Sequence, residues 1–151
     1  MAVRDAKHCE APAPGELPFP APDIPPHAPV LYREFWRLWG EAKFFACHEV
    51  LEELWRATQG PQRLFYNGLI HCAVAIYQHR RGNAVGAARQ LVRAQVKLQA
   101  FRPRHFEVDV DDLLNGMERA LAPSLSTLDE HQRTQLAALE RALRDRMARN
   151  I

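Results

Sequence analysis

Residues 65–77, FYNGLIHCAVAIY, are apolar nearly all the way round when wound as a helix. A helix without a polar face must be surrounded, so this stretch demands the middle of a bundle and further helices to cover it. The punctuation around it supplies them. Gly60-Pro61 is a stop followed at once by a start, because proline's fixed φ suits a first helical position. Gly82-Asn83 ends the central helix and caps the next. The spacing predicts helix three over 62–81 and helix four over 84–100. The link between them is so short that they must form an antiparallel hairpin.

The same logic extends both ways. Upstream, Pro29 starts helix one, LYREFWRLW, which Gly40 stops, and helix two runs over 42–58. Downstream, Pro103 closes the hairpin unit. Asp109 caps a fifth helix, with Asp111 and Asp112 in its positive first turn. A sixth helix begins at TLDE, where Thr127 and Glu130 have capping-box spacing. Its Leu136, Leu139, Leu143 and Met147 form one apolar stripe, expected to dock on the core or to make a homo-oligomer. No stretch alternates as a strand would. The expectation is an all-α, single-domain helical bundle of about six helices, and 151 residues suffice to bury its core.

Ahead of the helices lies a different composition. Of the eleven prolines, Pro12, Pro14, Pro18, Pro20, Pro22, Pro25, Pro26 and Pro29 fall within residues 10–29. Proline lacks the N–H and restricts its predecessor, so this arm is extended rather than helical. It is either a free tail or a strap held by Leu17, Phe19 and Ile24. The chain thus divides into a Pro-rich arm, 1–28, and a helical bundle, 29–151.

Charge and cysteine narrow the classes of function. A net charge of +2 is too small to argue for nucleic acid by itself. Cys9, Cys47 and Cys72 are an odd set with no close pair, so neither a disulfide framework nor a zinc ribbon is indicated. Cys47 and Cys72 read as buried thiols, which suits a reducing cytoplasm. The opening residues lack a secretory-signal pattern, and no apolar run approaches membrane-spanning length.

The densest chemistry lies in helix two, FFACHEVLEELW. At 100° per residue, Cys47, Val50, Leu51, Leu54 and Trp55 share an apolar arc. Glu49, Glu53 and Arg56 share the opposite arc. His48 and Glu52 sit on the border, four residues apart and therefore neighbours. In helix three, Asn67, His71 and Gln78 interrupt the apolar surface and need partners. The simplest arrangement faces His48 and Glu52 against Asn67 and His71, with Trp55 as a cap. Three readings follow. His48, Glu49 and Glu52 are candidate acid/base residues, with Glu52 orienting His48. His48, Glu52 and His71 are candidate ligands of a divalent metal. Alternatively, His48, Glu49, Glu52, Trp55, Asn67 and His71 form a satisfied polar brace. A zinc-protease helix would need a second His where Glu52 stands, and a di-iron bundle would need Glu-x-x-His pairs absent from helices two and three.

FFACHEVLEELWR, followed by FYNGLIHCAVAIYQHRRGN and GAARQLVRA, resembles the bacterial and archaeal family catalogued as domain of unknown function 309. The pattern falls on Phe45, His48, Glu49, Glu52, Trp55, Gly68, Leu69, Ile70, Arg81, Gly82, Asn83 and Ala87, and the resemblance covers residues 38–98. It implies an all-helical bundle and no particular activity. The family pattern carries Gln near both polar positions of helix three, where this chain has Asn67 and His71. Amides are poor metal ligands and good braces, so the resemblance favours a hydrogen-bonded cluster.

Two other features carry weaker readings. Arg89, Arg93 and Lys97 are spaced by four and form a basic stripe on helix four. Phosphate contact is one use of such a stripe, but no aromatic is interleaved to stack on bases, so nucleic acid is disfavoured against a solvated face. Gly82, Ala87, Leu91 and Ala94 resemble a single tetratricopeptide hairpin without a second copy, a hint of a groove that takes a peptide such as the chain's own arm. His79 and His105 read as surface residues. The preferred reading is a cytoplasmic, non-catalytic binding or scaffold module, with no membrane partner. A metal-dependent or acid/base hydrolase is the alternative.

Overall fold

A computed structural model describes residues 17–149. The first part of the arm, including Cys9, lies outside the described residues. The helices are α1 (Val30–Gly40), α2 (Phe44–Ala57), α3 (Pro61–Arg80), α4 (Ala84–Leu98), α5 (Val110–Leu125) and α6 (Glu130–Arg149). Between α4 and α5 come a 3-10 turn, Gln99–Phe101, a cis Arg102–Pro103 bond and a short antiparallel hairpin. Its strands are β1 (Arg104–His105) and β2 (Val108–Asp109), with His105 opposite Val108. This hairpin corrects the strand-free expectation. Two residues a side are too few to show alternation in a sequence.

Helix α3 is the centre, packed on α4 and on α2. Phe65, Leu69, Cys72, Ala73, Ala75 and Ile76 are buried around its circumference, as its missing polar face requires. Gly68 brings α4 close, since a Cβ there would stand 2.5 Å from Leu98 Cγ. The α3–α4 turn is a Schellman motif. Gly82, at φ 80°, donates to the His79 carbonyl at 3.0 Å, and Asn83 donates to that of Gln78 at 2.9 Å. Asn83 then accepts from the Gly86 N–H at 2.9 Å and caps α4.

Helix α1 spends its core face on aromatics. Tyr32, Phe35, Trp36 and Trp39 recur at helical spacing and are all buried. The arm straps across this face. Phe19 is buried against Trp36, with ring centroids 6.0 Å apart, and the Phe19 carbonyl accepts from Trp39 Nε1 at 2.8 Å. On the other side the Pro18 carbonyl sits where a Cβ on Gly116 of α5 would be, 1.9 Å from that position. Of the two readings for the arm, residues 17–29 follow the strap. They lie against α1 and α5, not in an α3–α4 groove.

Two helix termini differ in detail, and a third is as expected. Gly40 remains inside α1, and Ala42 takes the left-handed turn at φ 60°. Asp109 caps α5 by accepting from the Asp112 N–H at 2.9 Å, as expected. The box opening α6 is Asp129 with Gln132, not Thr127 with Glu130: Gln132 N–H donates to Asp129 Oδ1 at 2.7 Å, and Asp129 N–H donates to Gln132 Oε1 at 2.9 Å. Thr127 instead donates its hydroxyl to the Ser124 carbonyl. Helix α6 docks on α4, where Leu143 is buried and Leu136, Leu139 and Met147 are half-buried. No helix among the described residues is long and apolar enough to cross a membrane.

Candidate functional site

Helix α2 buries Cys47 and Leu51 against α3 and leaves Glu49, Glu53 and Arg56 exposed. His48 is on the border, 18% exposed, and Glu52 is 31% exposed. His48 Nδ1 lies 2.7 Å from the Phe45 carbonyl one turn back. A carbonyl only accepts, so Nδ1 carries the proton, and Nε2 is protonated only in the imidazolium. Nε2 is 3.4 Å from Glu52 Oε2, and Arg56 donates to Glu52 Oε1. The motif is therefore a ladder along one helix, at i, i+4 and i+8, with a carboxylate between imidazole and guanidinium. Arg56 reaches back to Glu52, although the wheel had set it on the far arc.

Asn67 and His71 turn the other way, to α4. His71 Nδ1 donates to Gln90 Oε1 at 2.7 Å, and Lys97 Nζ donates to His71 Nε2 at 2.9 Å. Lys97 also donates to Asn67 Oδ1. The expected facing of His48 and Glu52 against Asn67 and His71 is thus replaced by two separate networks. The reason is geometric: Asn67 and His71 of α3 border α4, while Cys47 and Leu51 occupy the α2 seam. Burial and the Lys97 charge push the His71 imidazole down to about 4. Burial, with Arg93 and Arg146 nearby, pushes the Lys97 ammonium down to about 8.

The structure does not bring the candidate metal residues His48, Glu52 and His71 together. Both ring nitrogens of His71 are engaged on α4, and among the described residues no three His, Cys, Asp or Glu side chains are grouped to hold an ion. Trp55 does not cap His48. Its ring carries the Arg63 guanidinium, 4.1 Å from the centroid. The basic stripe divides too. Arg89 is exposed at a separate cleft against the start of α6, whereas Arg93 and Lys97 are half-buried, with Lys97 near Arg146 towards the end of α6.

Between the start of α3, the end of α4 and α6 lies a cleft of about 330 Å³. Trp55, Arg63, Asn67, Lys97 and Arg146 supply its polar and aromatic wall, with Leu64, Val96, Leu143 and Met147 completing it. Sequence reasoning named Asn67 and Lys97 but missed Arg63 and Arg146. Arg63 was reachable, because it extends the Asn67–His71 row by one turn at the same spacing of four. Arg146 carried no local signal; only the docking of α6 brings it here.

The remaining polar groups hold structure. Cys47 and Cys72 are free buried thiols, both pushed up by burial, Cys72 to about 12. His79 and His105, expected at the surface, are half-buried. His79 Nδ1 is 2.6 Å from Ser124 Oγ, and His105 Nε2 is 2.7 Å from Gln62 Oε1. Burial lowers both imidazoles.

Residues 32–90 match the model of a family described as Domain of unknown function (DUF309). The chain is similar to the uncharacterized protein YpuF of Bacillus subtilis (strain 168), 43% identical over 58 residues, which are 38% of this chain and 33% of that protein. It is also similar to an uncharacterized protein of Aquifex aeolicus (strain VF5), 31% identical over 65 residues, or 42% of this chain and 20% of that one. The chain thus spans a third or less of the length of the curated relatives it matches. No solved structure matches it.

Proposed function

With residues 32–90 a DUF309 segment, we propose that this chain is a non-catalytic helical binding module of the cytoplasm, in which HEVLEELW is a brace rather than an active site. The observation that carries this reading is the division of labour between the two histidines. His48 is used by its own helix and His71 by α4. A three-residue acid/base or metal site built on His48, Glu52 and His71 would need both histidines to converge on one point. The α2 ladder instead neutralises itself: Glu52 lies between His48 and Arg56. Glu49 stays exposed on the other edge, outside both networks. The two free buried thiols support a reducing compartment.

The test is metal content of protein purified without chelator or nickel resin, alongside a His48→Ala variant. The expected result is no stoichiometric metal in either and a melting temperature lowered by roughly 2–4 °C in the variant, the equivalent of about one lost hydrogen bond at this size. Stoichiometric metal in the parent, absent from His48→Ala, would replace the brace by a metal centre.

A further inference from the structure

We propose that the cleft between α3, α4 and α6 binds the phosphate group of a small organic phosphate, whose apolar body lies in the groove beside it. The proposal rests on the binding-module reading and names its ligand class.

The first argument is charge without compensation. Arg63, Lys97 and Arg146 line the cleft, and Arg93 and Arg146 both act on Lys97. No carboxylate among the described residues lines it. Elsewhere among the described residues, Arg37, Arg56, Arg102 and Arg144 each meet an acid, whereas Arg80 and Arg89 among others meet none and lie apart from one another rather than gathered on one cleft. Among the described residues, none of Arg63, Arg93, Lys97 and Arg146 is in an ion pair. Bringing a half-buried ammonium beside two guanidiniums costs free energy, and an anion is what offsets it.

The second argument is preorganisation. Asn67 and His71 take two of the three ammonium N–H bonds of Lys97, leaving the third for the cleft that Lys97 lines. The Arg63 guanidinium is held on the Trp55 ring. Donors fixed before the ligand arrives lose little entropy on binding it, and guanidinium with ammonium is the set that takes a phosphate dianion.

Size and continuity select the rest of the ligand. The volume of about 330 Å³ suits a small molecule. Leu64, Val96 and Met147 also line an adjoining groove of about 560 Å³, which Ala100 and Ala148 extend. A phosphate on the cations would place an attached apolar chain there. A nucleic-acid backbone needs an open basic surface instead, and Arg93 and Lys97 lie beside α6 rather than on one.

The experiment is calorimetric titration of the full chain at constant ionic strength with inorganic phosphate, n-hexyl phosphate and chloride. Saturable binding of phosphate, tighter binding of hexyl phosphate and none of chloride are expected. Arg146→Gln, on an exposed position of α6, and Lys97→Gln should each weaken phosphate binding about tenfold, as loss of one charge-assisted hydrogen bond does. Arg89→Gln should leave it unchanged. Phosphate indistinguishable from chloride, or binding insensitive to Arg146→Gln, would overturn the site while leaving the brace reading intact. A single-stranded RNA that binds and loses affinity equally in Arg89→Gln and Arg146→Gln would also overturn it, in favour of the helix-four stripe. Turnover of 4-nitrophenyl phosphate that depends on both Arg146 and His48 would keep the cleft and overturn the non-catalytic reading.

Discussion

Two polar networks flank α3, and they are built on opposite plans. On α2, His48, Glu52 and Arg56 are four residues apart on one helix, partly open to water, and contain a carboxylate that balances the cation. Between α3 and α4, Asn67, His71, Gln90 and Lys97 come from two helices, and the only charge among them is positive. The first network closes locally and needs nothing from the rest of the fold. The second exists only when α3 and α4 are assembled, and it is left with an excess charge. The lesson concerns density of chemistry. The stretch richest in reactive side chains is the self-sufficient one, and the sparser row is the one left needing a partner.

The comparison is broken most severely at His71. His71→Ala removes the acceptor of Lys97 and the donor to Gln90 together, in a place that is largely out of water. The expected loss is about 2–3 kcal/mol, read as a shift of the urea midpoint at unchanged slope. His71→Gln keeps an acceptor for Lys97 and a donor for Gln90, so it should recover more than half of that loss. If Ala and Gln are equally damaging, the residue acts through volume and not through the network.

A graded effect follows from the same imidazole. His71 is held down to about 4 against an ordinary 6.5, so between those values the unfolded chain binds a proton there that the folded chain does not. Stability therefore falls as pH drops from 6.5 towards 4. Lys97, held down to about 8 against 10.5, has the same sign at higher pH: its contribution rises as pH increases from 8 to 10.5. Denaturation across pH 4–7 should show a slope in the parent that is shallower in His71→Gln. Parallel curves would mean that other groups set the acid limb.

How much of this could be read from the chain alone depends on how local each cause is. The caps at Asn83 and Asp109, the Gly82 turn and the burial of helix three are decided within a few residues, and the structure has all of them. The two-residue strands and the Asp129–Gln132 box lie near or below the resolution of pattern reasoning, since two neighbouring box spacings compete in STLDEHQ. The site was half legible. Helical spacing correctly made His48 and Glu52 neighbours, but periodicity gives a face and not its partner. Whether the Asn67–His71 row meets α2 or α4 depends on the azimuth of α3, which tight packing at Gly68 and Leu98 fixes. Arg146 enters the cleft from some fifty residues beyond Lys97, and no local rule connects them.

The smallest effect sharpens the other side of the comparison. Glu52→Gln leaves shape and one acceptor in place and removes only the charge that links His48 to Arg56, at a helix surface where Arg56 is 67% exposed. Exposed pairs four apart contribute about 0.3–0.5 kcal/mol and are screened by salt. The substitution should therefore cost less than about 1 kcal/mol at low ionic strength. The difference from the parent should shrink further in molar salt. An effect of that size makes the motif's carboxylate a trim on a helix whose real anchor is Cys47 and Leu51 in the α3 seam. A salt-insensitive loss several times larger would mean that Glu52 holds something other than Arg56, and the self-sufficiency of the α2 network would fail with it.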